Sequence, residues 1–241
     1  MIELDKTPAR DDLRFVFVVT YARSGSTLLQ SLLNTCPGVQ VRGENTNTLF
    51  HLFKAVRAVE ATRIFGRHPQ TKAPDEPWFG SFAVRPKLFE TAMITNFVRN
   101  VLAPDPGTQV TGFKEIRYNR TYIRKPDFAP YMDFLLTVFP HAKVVFNTRR
   151  ATDVANSAFL AEEKPENVVA WVTDADDNFA SYDAGSDRTI LMRYEDYTKD
   201  HTLVHNMLDF LDLDWNPDMV ERVFAKPLTH AKPQLPKTGS L

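Results

Sequence analysis

The sequence predicts an α/β fold with a central parallel sheet that is covered by helices on both faces. Short apolar segments rich in β-branched residues are typical of strands, and they lie at 15–20, 39–41, 109–113, 143–148 and 189–193. Longer amphipathic segments predict helices at 26–35, 47–64, 86–102, 128–139, 153–162, 165–182 and 202–211. Because strands and helices alternate along the chain, a parallel sheet is favoured over an antiparallel one.

Composition limits the domain organisation and the kinds of partner. The chain has 241 residues, 43% of them hydrophobic and 24% charged, which suits one sizeable core. We therefore expect a single domain over 1–241, with 1–12 and 228–241 as peripheral tails. The formal net charge is -1, so the protein has no global field that would hold a nucleic acid or an anionic membrane.

The cysteine count and the hydropathy indicate a compartment. Cys36 is the only cysteine, so no internal disulfide can form and a reducing environment is favoured. The first twelve residues lack the apolar stretch of a signal peptide, and no apolar run approaches the ~18 residues needed to cross a bilayer. A cytoplasmic protein without a membrane segment is expected.

The segment between the first strand and the first helix is the most informative part of the chain. It combines the cation of Arg23, the hydroxyl groups of Ser24, Ser26 and Thr27, and a backbone at Gly25 that can pass close to a ligand. Such a loop, followed by the amides of a helix N-terminus, predicts a phosphate or sulfate site. It is not a Walker A loop, which needs two glycines and a lysine. An ordinary strand-turn-helix with a Ser/Thr cap is the alternative.

A second cationic segment follows the predicted strand 143–148. Arg149 and Arg150 come directly after this strand, at the edge of a parallel sheet where ligands bind. In a P-loop kinase, this strand end usually provides an aspartate for Mg²⁺. Arg149, together with the hydroxyl of Ser157 two helical turns later, instead predicts an anion site without a metal. A solvated helix start is the alternative interpretation.

Together these segments resemble the cofactor loops of sulfotransferases that use 3′-phosphoadenosine 5′-phosphosulfate (PAPS) and release 3′-phosphoadenosine 5′-phosphate (PAP). The resemblance is carried by 21–27 and 145–157, and it extends to 34–44 and 191–197. It implies a P-loop-NTPase-like three-layer sandwich in which Arg149 and Ser157 bind the 3′-phosphate. It also implies that the first loop cradles the 5′-phosphosulfate, with the residues Arg23, Ser24, Gly25, Ser26, Thr27 and Leu28.

The proton acceptor is implied by the same resemblance. A glutamate shortly after the first helix is the base in tyrosylprotein and bacterial carbohydrate sulfotransferases, which are similar to this chain around Glu44. Without the resemblance, Glu44 would be a helix-start partner for 45–48. The chain departs from the family at Ala151, where many members have an Asn-Pro pair after the arginine, and it lacks a Gly-rich basic segment after Pro227.

Sulfuryl transfer explains why these residue types belong together. Negative charge builds on oxygens during in-line transfer, so fixed donors and cations have to meet it. Arg23 and Lys114, which lies just past the third strand, are the expected catalytic cations, while Glu44 takes the proton of the acceptor. The alternative for Lys114 is a surface lysine paired with Glu115 or another acid.

The predicted function is therefore PAPS-dependent transfer of a sulfuryl group to a hydroxyl or amine. The acceptor class stays open between a small molecule, a carbohydrate and a peptide, and the protein is expected to be a monomer or a homodimer. A P-loop-type small-molecule kinase is one alternative. A non-catalytic nucleotide-binding protein of the same fold is another.

Further segments have weaker signals. The segment 66–85 is rich in Pro and aromatic residues and is the leading candidate for acceptor recognition, although it could equally be an ordered surface excursion. Arg42 and Asn47 flank Glu44 and are candidates for contact with the acceptor. The acidic cluster of Asp174, Asp176 and Asp177 has no His or Cys at ligand spacing, so a solvated face is expected and no metal site is predicted.

Overall fold

A five-stranded sheet forms the centre of the molecule in the computed structural model, which describes residues 8, 10–157, 160 and 162–226. The residues 1–7 and 9 of the predicted N-terminal tail and the predicted tail 228–241 lie outside this range. All strands are parallel, in the order β2-β3-β1-β4-β5. The strands are β1 Arg14–Val19, β2 Val39–Arg42, β3 Val110–Glu115, β4 Lys143–Thr148 and β5 Thr189–Arg193.

Helices connect the strands and cover the sheet. They are α1 Ser26–Leu33, α2 Thr48–Phe65, α3 Pro86–Phe97, α4 Lys125–Val138, α5 Ala151–Ala155, α6 Pro165–Asp183, α7 Tyr194–Tyr197, α8 Thr202–Phe210 and α9 Pro217–Ala225. Short 3₁₀ turns occupy Arg10–Asp12, Pro69–Lys72 and Ser81–Ala83, and α3 continues into a π-helical turn over Val98–Leu102. The five predicted strands and most of the predicted helices are therefore present.

The alternation of side chains along β1 separates two hydrophobic cores. Phe15 and Phe17 belong to one core, together with residues of α2, α3, α4, α5 and α6. Val16 and Val18 belong to the other, together with residues of α1, α8 and α9. Successive residues of a strand point to opposite faces, so a strand that is apolar throughout requires helices on both sides. The result is the three-layer arrangement predicted from the sequence.

The predicted helix 153–162 is wrong in its bounds, and its residues 158, 159 and 161 lie outside the described residues. α5 begins at Ala151 and ends at Ala155, and Asn156 and Ser157 lie outside any helix. β-branched residues such as Val154 support a short helix only weakly, and the Ser157 hydroxyl is taken up by a long-range hydrogen bond that is described below. Ser157 therefore reaches the sheet edge from a loop.

Helix α9 was not predicted, although the sequence contains its start signal. Asn216 is the N-cap, and its side-chain oxygen accepts hydrogen bonds from the amides of Asp218 and Met219 at 3.0 and 3.4 Å. Pro217 occupies the first turn, where its missing N–H is not needed. An Asn-Pro pair before an amphipathic segment is the pattern that would have revealed this helix.

Within the described residues, no helix combines the length and the apolar character needed to cross a bilayer.

Gly112 of β3 has no room for a side chain, which generates a stability prediction. Gly112 pairs with Val16, and a Cβ atom built on it would lie 1.7 Å from the Val16 carbonyl oxygen. Gly112→Ala should destabilise the fold by about 3 kcal/mol, the upper end of the range for overpacking. The new Cβ atom would meet the Val16 backbone, which cannot rotate away from it as a side chain could. Urea unfolding followed by circular dichroism measures this loss.

The matched control is Gly185→Ala. A Cβ atom there would lie at an ordinary contact distance of 3.8 Å from the Tyr182 carbonyl oxygen. We expect this variant to unfold within about 0.5 kcal/mol of the wild type. Equal stability of the two variants would mean that the strands around Gly112 can separate without cost.

Candidate active site

The loop after β1 has a strained backbone that faces the edge of the sheet. Arg23 and Gly25 both have positive φ angles, of 66° and 81°. This conformation is rare for a residue with a side chain, and together with the N-terminus of α1 it turns consecutive amides toward one point. At Gly25, a Cβ atom would lie 2.1 Å from the ring of Tyr194, so only glycine fits over this ring.

Buried polar groups at the end of β4 fix this loop. The side-chain amide of Asn147 donates to the Ser24 carbonyl at 2.9 Å, and its oxygen accepts from the Tyr197 hydroxyl at 3.1 Å. Thr20 Oγ1 lies 2.7 Å from Ser24 Oγ and 2.6 Å from the carbonyl oxygen of Asn147. Because these groups are buried and mutually satisfied, the loop has one well-defined position.

Tyr21 connects the first loop to the segment after β4. Its hydroxyl accepts from the amide of Arg149 at 2.8 Å and lies 2.9 Å from a carboxylate oxygen of Asp176 on α6. Burial raises the pKa of Tyr21, and the nearby carboxylate of Asp176 adds to this effect. Asp176 was expected on a solvated face, and this was wrong because α6 packs against the site and partly buries the carboxylate.

Three of the predicted anion-binding residues meet at this edge. Arg23 Nε donates to the Ser157 hydroxyl at 2.7 Å, and Arg149 Nη1 donates to the Arg23 carbonyl at 3.1 Å. The guanidinium carbon of Arg149 lies 4.5 Å from the centre of the Tyr194 ring, a cation–π distance. The sequence placed Arg23 and Ser157 in separate anion sites, whereas the structure joins them in one cluster.

The other residues of the first loop have different surroundings. The Ser24 side chain is fully buried and its hydroxyl is engaged with Thr20, so the expectation that this hydroxyl faces a ligand is wrong. The Leu28 side chain lies in the hydrophobic core and its amide donates to the Gly25 carbonyl at 2.9 Å. The binding of a cofactor by Leu28 stays a prediction. Ser26 and Thr27 form the first turn of α1.

Glu44 and Lys114 form an ion pair at the ends of β2 and β3. Lys114 Nζ donates to Glu44 Oε1 at 2.6 Å, and Arg117 Nη1 lies 3.9 Å from Glu44 Oε2. The Lys114 side chain is 6% exposed and that of Glu44 is 35% exposed. The alternative of a surface lysine does not hold because Lys114 is buried, but Lys114 does pair with an acid, namely the carboxylate that the resemblance implies as base. Its partner is not Glu115.

Glu115 holds the turn that carries Glu44, a role that the sequence reasoning missed. This fully buried carboxylate accepts from the amides of Asn45, Asn47 and Ile116 at 2.9–3.0 Å and from Arg117 Nη1 at 3.0 Å. Four donors offset the cost of burying the charge. The only sequence signal was an acid at the end of an apolar strand.

A cavity of about 380 Å³ opens beside Glu44. Its lining includes Tyr21 and Ala22 of the first loop together with Glu44 and Arg117, so the first loop and the Glu44 turn face the same space. The rest of its wall comes mainly from apolar side chains of α5, of α6 and of the chain after β3. The arrangement places a carboxylate, held by a lysine, next to a space that can hold a small organic molecule.

Other candidate acceptor contacts lie elsewhere. Arg42 donates to the carbonyl oxygens of Leu102 and Ala103 at 2.9 and 2.6 Å, and Asn47 donates to the Arg117 carbonyl at 2.8 Å, so both are structural. The segment 66–85 follows α2, whose 18 residues span ~27 Å from the site. In the described part of the chain, this segment contributes no residue to the cavity.

The Asp176 carboxyl generates a pH prediction. Burial, as the main cause, raises its pKa from 3.8 to about 6, so the folded protein binds more protons than the unfolded chain between these values. The contribution of Asp176 to stability is therefore complete below pH ~4 and is lost as pH rises toward 6. Asp176→Asn should raise the melting temperature by about 2–4 °C at pH 8, and by less at pH 4.

Asp177→Asn is the control for this prediction, because Asp177 is an exposed neighbour on the same helix. Its effect should be small and should not grow with pH. Melting curves of both variants at the two pH values make the comparison. If Asp176→Asn raised the melting temperature equally at pH 4 and pH 8, this would contradict the proposal that ionisation of Asp176 destabilises the fold.

Comparisons with known proteins bear on this arrangement. A sequence model described as "Sulfotransferase family" matches residues 16–217, which include both loops and the Glu44–Lys114 pair. No curated protein sequence matches the chain.

Several solved structures are similar to the chain. The sulfotransferase domain of the Synechococcus PCC 7002 olefin synthase is 18% identical, with 89% of this chain and 78% of that one covered and a TM-score of 0.54. A sulfotransferase domain from the curacin biosynthetic pathway is 18% identical, with 86% and 76% covered and a TM-score of 0.49. The Alicyclobacillus acidocaldarius sulfotransferase is 16% identical, with 87% and 89% covered and a TM-score of 0.46.

The first of these structures supports a common fold, and the parallel sheet between two helical layers agrees with it. The predicted P-loop-NTPase-like sandwich is thereby confirmed. Since the family model covers most of the chain, this protein belongs to the sulfotransferase family.

Proposed function

We propose that this sulfotransferase moves the sulfuryl group of PAPS to a hydroxyl group of an acceptor, with Glu44 as general base. One observation carries the proposal. The Arg23–Ser157–Arg149 cluster and the Glu44–Lys114 pair lie at the same edge of the sheet, on loops that border one cavity. Family membership supports sulfuryl transfer, and this geometry supports the donor and the base.

The residues present fit PAPS. Arg149 Nε is buried and has no hydrogen-bond partner within the described part of the chain, which suits an arginine whose partner is a ligand. Gly25 has a positive φ angle of 81°, which lets the loop turn its amides toward the start of α1, where an anion can bind. Arg23, Ser26, Thr27, Arg149 and Ser157 would hold the cofactor, and PAPS, when bound, supplies the sulfuryl group and a phosphate leaving group.

The cation set distinguishes this donor from ATP. The chain places Arg149 after β4, where a P-loop kinase uses an aspartate to hold Mg²⁺. A guanidinium offers several donors in a planar fork, which matches the oxygens of a phosphate. The residues at this strand end therefore favour a nucleotide with an additional phosphate group.

Glu44 is positioned to take a proton from an acceptor. Lys114 binds Oε1 and so fixes the orientation of the carboxylate, Oε2 lies 3.9 Å from Arg117 Nη1, and Glu44 lines the cavity. A carboxylate that is held in one rotamer and is partly exposed to a binding cavity can accept a proton from a hydroxyl group within hydrogen-bond reach. Lys114 would also provide a fixed positive charge for the transition state.

The first test concerns the second anion site. PAP should raise the melting temperature without added metal, and more than adenosine 5′-diphosphate does, because Arg149 is directed at a second phosphate group. Arg149→Ala should weaken PAP binding by about 1.5–3 kcal/mol, roughly 10- to 150-fold, and should remove the preference for PAP. Calorimetric titration with both nucleotides measures the ratio of their affinities. Ser157→Ala should lower this ratio less than Arg149→Ala does.

Arg150→Ala is the matched control for this test. Arg150 neighbours Arg149, but its side chain is 62% exposed and lies 3.6 Å from Asp153. Its removal should leave the ratio of the two affinities near the wild-type value. The assignment of Arg149 fails if Arg149→Ala and Arg150→Ala change the ratio equally.

The second test concerns the base. Glu44→Gln keeps the size of the side chain but removes the proton acceptor, so single-turnover rates should fall at least ~100-fold. PAP affinity should stay near the wild-type value, because Glu44 is not part of the arginine cluster. The rates are measured with an acceptor that the wild-type protein sulfates.

Glu60→Gln, on the exposed side of α2, is the control and should leave both quantities unchanged. Loss of rate and PAP affinity together in Glu44→Gln would mean that Glu44 only supports the turn before α2. An unchanged rate would place the base on another side chain.

A further inference from the structure

We propose that the cavity beside Glu44 binds a compact, uncharged and largely apolar hydroxyl compound, of the phenol or naphthol type, as the acceptor. This inference rests on the proposed function, since it names the acceptor class for the same site. It departs from the carbohydrate and peptide acceptors that the sequence resemblance left open.

The walls of the cavity are mostly hydrocarbon. α6 contributes Val168, Trp171 and Val172, α5 contributes Val154, and Ile116 follows β3. Val168, Val172 and Val154 are almost fully buried, so their positions are fixed by the core behind them. A preformed apolar wall with an indole ring favours flat apolar ligands.

Among the described residues of the lining, a sugar would find few polar groups that are not already engaged. The uncharged polar side chains there are those of Asn119, Thr121, Tyr21 and Tyr122, and the Tyr21 hydroxyl is engaged with Arg149 and Asp176. The Asn119 side-chain oxygen already accepts from the Thr121 amide at 3.0 Å. A sugar would bury several hydroxyl groups against valine and tryptophan, and each group without a partner costs about 1–3 kcal/mol.

The charges in the lining disfavour an anionic acceptor. Arg117 is paired with the buried Glu115 at 3.0 Å, so its positive charge is already balanced. Glu163 lies exposed in the lining and adds a negative charge. A carboxylate on the acceptor would therefore approach Glu163 without a free cation opposite it, and like charges repel.

The size of the cavity indicates a small molecule. Its volume of about 380 Å³ is near the lower end of the ~300–1,000 Å³ that is usual for ligand pockets. Peptides generally bind by adding to a strand edge or by lying in a long groove. This cavity is bounded by helices and loops, and one or two fused rings would fill it with the hydroxyl group near Glu44.

The test uses 2-naphthol as the probe and calorimetric titration of the full chain as the measurement. Saturable binding is expected, at least tenfold tighter than binding of N-acetylglucosamine, of a tyrosine-containing peptide or of 6-hydroxy-2-naphthoate. Trp171→Ala should weaken 2-naphthol binding about tenfold, because buried aromatic contacts dominate such sites. Trp78→Ala, in the segment outside the cavity, should have no effect.

Two variants of exposed residues keep the test valid if Trp171→Ala fails to fold. Tyr122 is 51% exposed, and Tyr122→Ala should weaken 2-naphthol binding several-fold. Glu163→Gln should strengthen 6-hydroxy-2-naphthoate binding several-fold and leave 2-naphthol binding unchanged, because it removes only the negative charge.

Tighter binding of the sugar or the peptide would overturn the inference, as would 2-naphthol binding that neither Trp171→Ala nor Tyr122→Ala weakens. The PAP titration is a separate measurement that tests the proposed function. If PAP binds in preference to adenosine 5′-diphosphate but 2-naphthol does not bind, only the acceptor class is wrong. If 2-naphthol binds as expected but PAP shows no preference, the cofactor proposal fails by itself.

Discussion

The buried side-chain amide of Asn147 is the constraint on which the rest of the site depends. It donates to the Ser24 carbonyl, accepts from the Tyr197 hydroxyl, and so joins β4, the loop after β1 and α7. A buried amide that lost either partner would cost about 1–3 kcal/mol, so the three segments keep their positions together. This connection between β4, the first loop and α7 places Tyr194 under Gly25 and places Arg149 next to the first loop.

α6 connects the electrostatics of the site with its shape. Asp176 lies near the Tyr21 hydroxyl, which accepts from the Arg149 amide, while Trp171 and Val172 on the same helix line the cavity. The same element therefore supports the cationic cluster and forms the apolar wall. A ligand that fills the cavity excludes water from it. The charges of the site then interact in a less polar medium, where each electrostatic interaction is stronger.

Much of the fold, and part of the candidate site, could be predicted because short-range properties specify them. Runs of β-branched residues marked the strands, and the strand order brought the loops after β1 and β4 to one edge. The predictions that were wrong depended on packing and hydrogen bonds that the periodicity of the sequence does not reveal. Ser24 turns inward because Thr20 holds its hydroxyl, Asp176 is partly buried because α6 packs against Tyr21, and α5 ends before Ser157.

The sequence by itself determined the parallel α/β fold and the resemblance to sulfotransferases, and it predicted an anion site in the first loop. Only the tertiary structure decided that Arg23 contacts Ser157, that Lys114 pairs with Glu44, and that an apolar cavity lies beside this pair. The physical reason is separation along the chain: the first contact joins residues 134 positions apart and the second joins residues 70 apart. Propensity and periodicity act over a few residues, whereas such contacts exist only after the sheet has assembled.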